Sequence, residues 1–223
     1  MKGLLVLLYS SIAGLVIGQD SLKLSNTFKF QEGVYATFDA LQRNQPTYTW
    51  DQIKEMTYVD REDYVAKFEY LKYFDIEQDS AIDLLQKDIW GVCIDGIPFI
   101  RMEDSLKQIT QFVGLRTRGK ICYYTYPTLK QVKVPMKIYD PDTGELVYIK
   151  SVINNEPDTI QKVLSFVDGS IADFKLDILK SWVKDDAQVA NTLSDYRDLI
   201  SEEKLYKLML IYNDRNLVYL KEN

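Results

Sequence analysis

No histidine occurs among the 223 residues, and that absence removes most hydrolytic machinery. Ser-His-Asp and Cys-His relays need an imidazole to carry the proton, and an ordinary zinc site draws on it as a ligand. What remains for catalysis is a pair of carboxylates of the glycosidase kind. Asp and Glu together number 33, too many for spacing to single out a pair, and the bulk of them are expected to be solvated surface. The run Asp140-Pro141-Asp142-Thr143-Gly144-Glu145 looks like a calcium loop at a glance. It fails because an EF-hand wants glycine at the sixth position and Gly144 already holds the fifth, so the run is expected to be a hairpin turn. Asp168-Gly169-Ser170 reads as a helix stop. No residue therefore qualifies as catalytic, cofactor-binding or metal-binding.

Two other groups of residues carry chemistry. Cys93 and Cys122 are the only cysteines and both fall in strand-like runs. In an oxidising compartment they could form a disulfide; as free buried thiols they would act as small hydrophobes. Tyrosine is frequent, with 16 residues, and Tyr123, Tyr124 and Tyr126 are grouped before Pro127. These three are an aromatic binding surface for a protein or a sugar, or else they fill a sheet core as alternating aromatics do.

Compartment follows from the first residues. Lys2, an apolar stretch from Leu4 to Ile17 and small residues before Gln19 have the layout of a secretory signal, with cleavage expected after Gly18. Residues 19–223 would then be exported to the periplasm or the extracellular space, with no stable membrane insertion. The formal net charge of −6 argues against nucleic acid, whose affinity needs clustered Lys and Arg. The short run Arg116-Thr117-Arg118-Gly119-Lys120 reads as a solvated turn.

The elements that would position these residues centre on Ile89 to Met102, two apolar runs joined by Asp95-Gly96, the strongest local signal for a two-residue β-hairpin. In that register residue 94 faces 97, 92 faces 99, and both faces of the ribbon are apolar, so both should be covered. Pro98 lacks an amide hydrogen, which predicts a sheet edge or a bulge on its outer side. Thr37 is placed to cap a short helix carrying Phe38 and Leu41. Tyr64 to Phe74, Phe112 to Leu115, Ile121 to Tyr126, Val132 to Tyr139 and Leu146 to Lys150 alternate as strands. From Pro157 the period lengthens to about three and a half, giving four stripes: Ile160 to Val167, Ile171 to Trp182, Val189 to Ile200, and Leu205 to Tyr212 with Ser201 as its cap. The predicted fold is α+β: an antiparallel sheet of hairpins and meanders, about six strands, followed by a C-terminal group of about four helices packing on it as a lid for the hairpin. Residues 19–223 would be one domain, strand-rich over 19–155 and helical over 156–223.

Several segments together resemble one set of uncharacterised exported bacterial proteins. They are Gly33-Val34-Tyr35 with Phe38, Asn44 and Pro46; the Trp90-Gly91 hairpin with Phe99-Ile100; Asp140 through Gly144; Lys184-Asp185-Asp186; and Leu210 to Asn216. The family often has a proline after the final Asn, where this chain has Leu217. The resemblance implies export and domain extent and carries no catalytic residue. The leading expectation is a non-enzymatic exported protein with a binding or structural role in the cell envelope, its protein or glycan partner unidentified. The alternative is a carboxylate-dependent glycan-acting enzyme or a carbohydrate-binding module.

Overall fold

The computed structural model describes residues 22–62, 64–75, 79–102, 110–196 and 200–221, with side chains of 58–62 left aside. The expected signal at residues 1–18 lies outside the described residues. Among the described residues there are twelve strands in three sheets and four short α-helices. This β-rich fold overturns the expected α+β arrangement of one sheet and a helical C-terminal group.

The largest sheet is built on the central hairpin. Strands β6 (Gly91–Ile94) and β7 (Ile97–Arg101) pair with Cys93 opposite Pro98 and Val92 opposite Phe99. The loop between them puts Asp95 at φ 54° and Gly96 at φ 76°. Two consecutive positive φ values mark a type I′ turn, whose twist suits the flanking strands. Strands β2 (Gly33–Tyr35), β8 (Thr110–Gly114), β4 (Val65–Asp75) and β3 (Ile53–Glu62) extend the sheet in the order β2-β6-β7-β8-β4-β3, and β5 (Ser80–Asp83) pairs with β4. Strand β7 is thus an interior strand, contrary to the edge expected from Pro98. Its ladder with β8 starts at Phe99, and at Pro98 the carbonyl accepts from Leu115 N at 2.9 Å, so only the donor that proline lacks is missing.

Both faces of the hairpin are dry, but the lids differ from those expected. Cys93 and Ile100 join a core with Phe30, Tyr35, Leu41, Cys122, Tyr124, Leu164 and Phe166. Val92 and Phe99 face the other way, into a core closed by Leu84 and Leu85 of a 3-10 turn (Leu84–Gln86) and by Trp50 of another (Trp50–Gln52). The C-terminal helices form a separate core with Ile121 and Val163 and do not cover the hairpin. Thr37 caps α1 (Phe38–Gln42) by accepting from Ala40 N at 3.1 Å, and Phe38 lies against Trp90, ring centroids 5.4 Å apart.

The second sheet holds the largest departure from the sequence reading. Strand β9 (Ile121–Tyr139) and strand β10 (Leu146–Ser165) run 19 and 20 residues and pair almost throughout, and β11 (Ile171–Asp173) adds to β10 at its base. The stripe Ile160 to Val167 is therefore largely strand, not helix. Leu164 enters the core beneath the hairpin and Val163 enters the helical core on the opposite face. A strand buried on both sides places apolar residues consecutively, which imitates a helical stripe. After β11 come α2 (Leu176–Trp182), α3 (Ala187–Asp195) and α4 (Glu202–Arg215). Strand β12 (Val218–Tyr219) then returns the chain to β1 (Lys23–Leu24).

Candidate functional site

Beyond the body, β9 and β10 continue as a bare two-stranded ribbon. From the pair Pro127–Thr159 outward every described side chain is exposed or half-exposed. At ~3.4 Å per residue the ribbon projects roughly 40 Å. Its tip is the turn foreseen from the sequence: Asp140 accepts from the amides of Asp142 and Thr143, both at 2.9 Å, and Gly144 takes φ 71°. Those two amides, that of Thr143 foremost, hold the Asp140 carboxyl below its ordinary range.

Register assigns the ribbon side chains to faces, because opposed residues share a face and neighbours alternate. One face carries a continuous apolar row on β9, Val132, Val134, Met136 and Ile138, faced on β10 by Tyr148 and Val152 with Lys150 between them and Asn154 beyond. The other mixes Leu129, Ile149 and Ile153 with Lys133, Lys137 and Asn155. Ile153 is 65% exposed and Leu129 64%, values that a core residue never shows. An isolated two-stranded ribbon with such a face is marginal in water, and contiguous exposed apolar surface of this kind marks interaction sites.

The two outer edges of the ribbon are not equivalent. At the base, Ser165 N donates to Ser170 O at 2.9 Å and Phe174 N donates to Gln161 O at 3.0 Å, so the odd-numbered residues of β10 point their main chain away from β9. By the same alternation Pro157 on β10, and Pro127 and Pro135 opposite Thr159 and Ser151, turn their nitrogen outward, where no ladder bond is lost. Edge prolines of this kind, with lysines, deter strand addition. Strand β9 carries Pro127, Pro135 and Lys130, Lys133 and Lys137 on its projecting part. Strand β10 has an uninterrupted stretch from Leu146 to Glu156 with one lysine, Lys150.

The residues singled out from the sequence lie elsewhere, in the body. Tyr124 is buried; Tyr123 stands between Phe174 and Tyr206, each ring 5.0 Å away, and donates to Gln161 Oε1 at 3.0 Å. Tyr126 is half-buried against the core beneath the hairpin. The three do not form one exposed surface, since neighbours on a strand face opposite ways. Cys93 and Cys122 are free thiols in one core, not a disulfide. Burial pushes each up to about 12.

Apart from Asp140 to Gly144 at the ribbon tip, segments of the family resemblance brace the body. Asn213 holds the backbone of Ile121 at both atoms, accepting from its N at 2.9 Å and donating to its O at 2.8 Å. Asn44 Oδ1 accepts from Gln31 N at 2.7 Å. Asp186 caps α3 and accepts from Arg215 Nε at 2.7 Å and Asn216 Nδ2 at 2.9 Å.

Asp185 and Asp186 line one recess beside Arg215, which sets a pair of carboxylates in a cleft. Arg215 above all, against the opposing effect of burial, holds Asp186 far below the carboxylate range. Burial would raise Asp185, but hydrogen bonds from Lys120 and Tyr212 outweigh it and keep that carboxyl low as well. A glycosidase needs one of its two acids protonated near neutrality, and both acids of this recess are held ionised. Among the described residues no group of three or more Cys, Asp or Glu is arranged to hold a metal ion, and no helix is long and apolar enough to cross a membrane.

Sequence reasoning named Val132 to Tyr139 and Leu146 to Lys150 as strands, but not the rest of the ribbon, and did not single out any of it as a site. The signal available was the density of β-branched and aromatic residues in Leu146 to Ile153. Comparison with known proteins finds no family model, no curated protein and no solved structure that matches this chain.

Proposed function

We propose that this is an exported, non-enzymatic protein of the cell envelope that works by binding, and that the β9–β10 ribbon is the part that binds. The observation that carries the reading is the apolar row Val132, Val134, Met136 and Ile138, flanked by Tyr148 and Val152, which runs along a ribbon ~40 Å long and which none of the described residues buries. Such a row gains on the order of 25 cal/mol for each Å² removed from water, so a partner that covers it recovers what the isolated chain leaves unused. The signal-like leader and the resemblance to exported bacterial proteins support the compartment.

The test is site-specific photocrosslinking in the native envelope. A photoreactive residue at Val134 or Met136 should give a discrete adduct, and the same residue at Lys204, on the outer side of α4, should not. Equal adducts from both places, or none from the ribbon, would overturn the reading.

A further inference from the structure

The open edge of β10 has a composition that fits a second copy of itself. We infer that two copies of this chain associate by antiparallel pairing of their β10 edges about a two-fold axis at Ile153, joining two ribbons into one four-stranded sheet. The inference rests on the reading of the ribbon as the binding element.

Odd-numbered residues of β10 bond outward at the base, to β11, and the described residues leave Ile149, Ser151, Ile153 and Asn155 unpaired on that side. A two-fold axis normal to a sheet passes between like residues, so the sum of paired numbers must be even for both copies to keep their faces aligned. A register centred on Ile153 uses all four outward residues, and ends at Ile149 opposite Pro157 of the second copy. That last pair resembles one already present in the body, where Pro98 accepts from Leu115 without donating back. The exchange gives about eight main-chain hydrogen bonds.

Charge favours this register over those centred on Ser151 and on Lys150. With Ile153 on the axis, Lys150 lies opposite Glu156 of the second copy, twice by symmetry, and Tyr148 lies opposite Asp158. Sliding by one two-residue step to centre on Ser151 leaves Lys150 opposite Val152, and centring on Lys150 itself would set two lysines face to face, which is destabilising. Ile153 meets its own copy at the centre. The competing edge, on β9, lacks donors at Pro127 and Pro135 and carries three lysines of one sign. A second copy of β10 is therefore the better complement.

The magnitude sets how the dimer should behave. An edge of about nine residues is ~30 Å long, and pairing two of them buries well under the ~1,200 Å² of a standard stable interface. Dimer should therefore accumulate with concentration.

Sedimentation velocity from low micromolar to several hundred micromolar is the experiment. The wild-type protein should shift from monomer to dimer. Ile153→Pro removes the central donor at a position where the ribbon already tolerates proline, and should leave a folded monomer throughout. Lys150→Glu and Glu156→Lys should each weaken association about tenfold or more, and the double variant should restore it. A wild-type protein that stays monomeric, or a dimer indifferent to Ile153→Pro and to the charge swaps, would overturn the inference. The first result together with ribbon-specific crosslinks to another molecule would leave the binding reading standing, whereas a dimer with no other adduct would make self-association the ribbon's entire role.

Discussion

Asp186 joins two helices through one carboxylate, and its state of charge is a measurable part of the fold. Oδ1 accepts from Gln188 N and Val189 N at the start of α3, and Oδ2 accepts from Arg215 and Asn216 at the end of α4. Its folded pKa lies far below its ordinary 3.8. A depressed acid contributes stability that is present above its unfolded pKa and lost as pH falls toward the folded one. Urea midpoints should therefore hold steady from neutrality to about pH 4 and then fall. Asp186→Asn should lower the neutral midpoint and flatten the acid decline; an unchanged acid slope would show that other carboxyls carry it. The buried thiols offer the opposite sign. Cys93 and Cys122, pushed up to about 12 by burial, should be neutral and shielded at about pH 8. A thiol reagent should react with neither in the native protein and with both in denaturant, while unreactive cysteines in the unreduced denatured protein would instead indicate a disulfide. The pairing of these cysteines could not be read from the chain, because a shared core brings residues together without fixing whether their Cβ atoms approach to bonding distance. The same limit applied to Tyr123, Tyr124 and Tyr126, whose clustering in sequence is undone by the alternation of a strand.

Elements with a strong local signal were legible, and those whose meaning depends on their cover were not. Asp95-Gly96 dictates its own turn, Thr37 and Ser201 cap the helices that follow them, and the alternation of Val132, Val134, Met136 and Ile138 is strand-like wherever it sits. Alternation says which side chains share a face and nothing about what lies over it. The face of Val132, Val134, Met136 and Ile138 accordingly stands open. The converse occurred at Val163 and Leu164, where cover on both sides erased the alternation and mimicked a helix. The separation between covered base and uncovered ribbon can be tested by excision. Replacing residues 131–155 by Asn-Gly would close a type I′ hairpin between Lys130 and Glu156, an opposed pair whose main chains point toward each other. Everything removed is exposed or half-exposed, so the melting temperature should change by no more than about 3 °C. A variant that fails to fold, or melts far lower, would show that the body depends on the ribbon for its stability.

At the scale of the whole molecule, the three sheets divide the chain into a body that satisfies itself and an extension that does not. In the body the strand ladders, the paired carboxylates and the three cores account for most of the polar and apolar groups, leaving one buried polar side-chain atom, Arg118 Nε, without a partner among the described residues. The ribbon has the reverse character, regular in its backbone and unfinished in its side chains. Shape is the direct consequence. A compact chain of this length has a radius of gyration of ~17 Å, and a ribbon holding its mass ~40 Å from the body centre raises that to about 20 Å or more. Small-angle scattering on Ile153→Pro, which keeps the ribbon while removing its central pairing donor, isolates this effect from association. Its radius should exceed that of the excised variant by several ångströms, with a maximum dimension to match. Equal radii would mean that the ribbon folds back onto the body in solution, and its apolar row would then be a covered surface with no need of a partner.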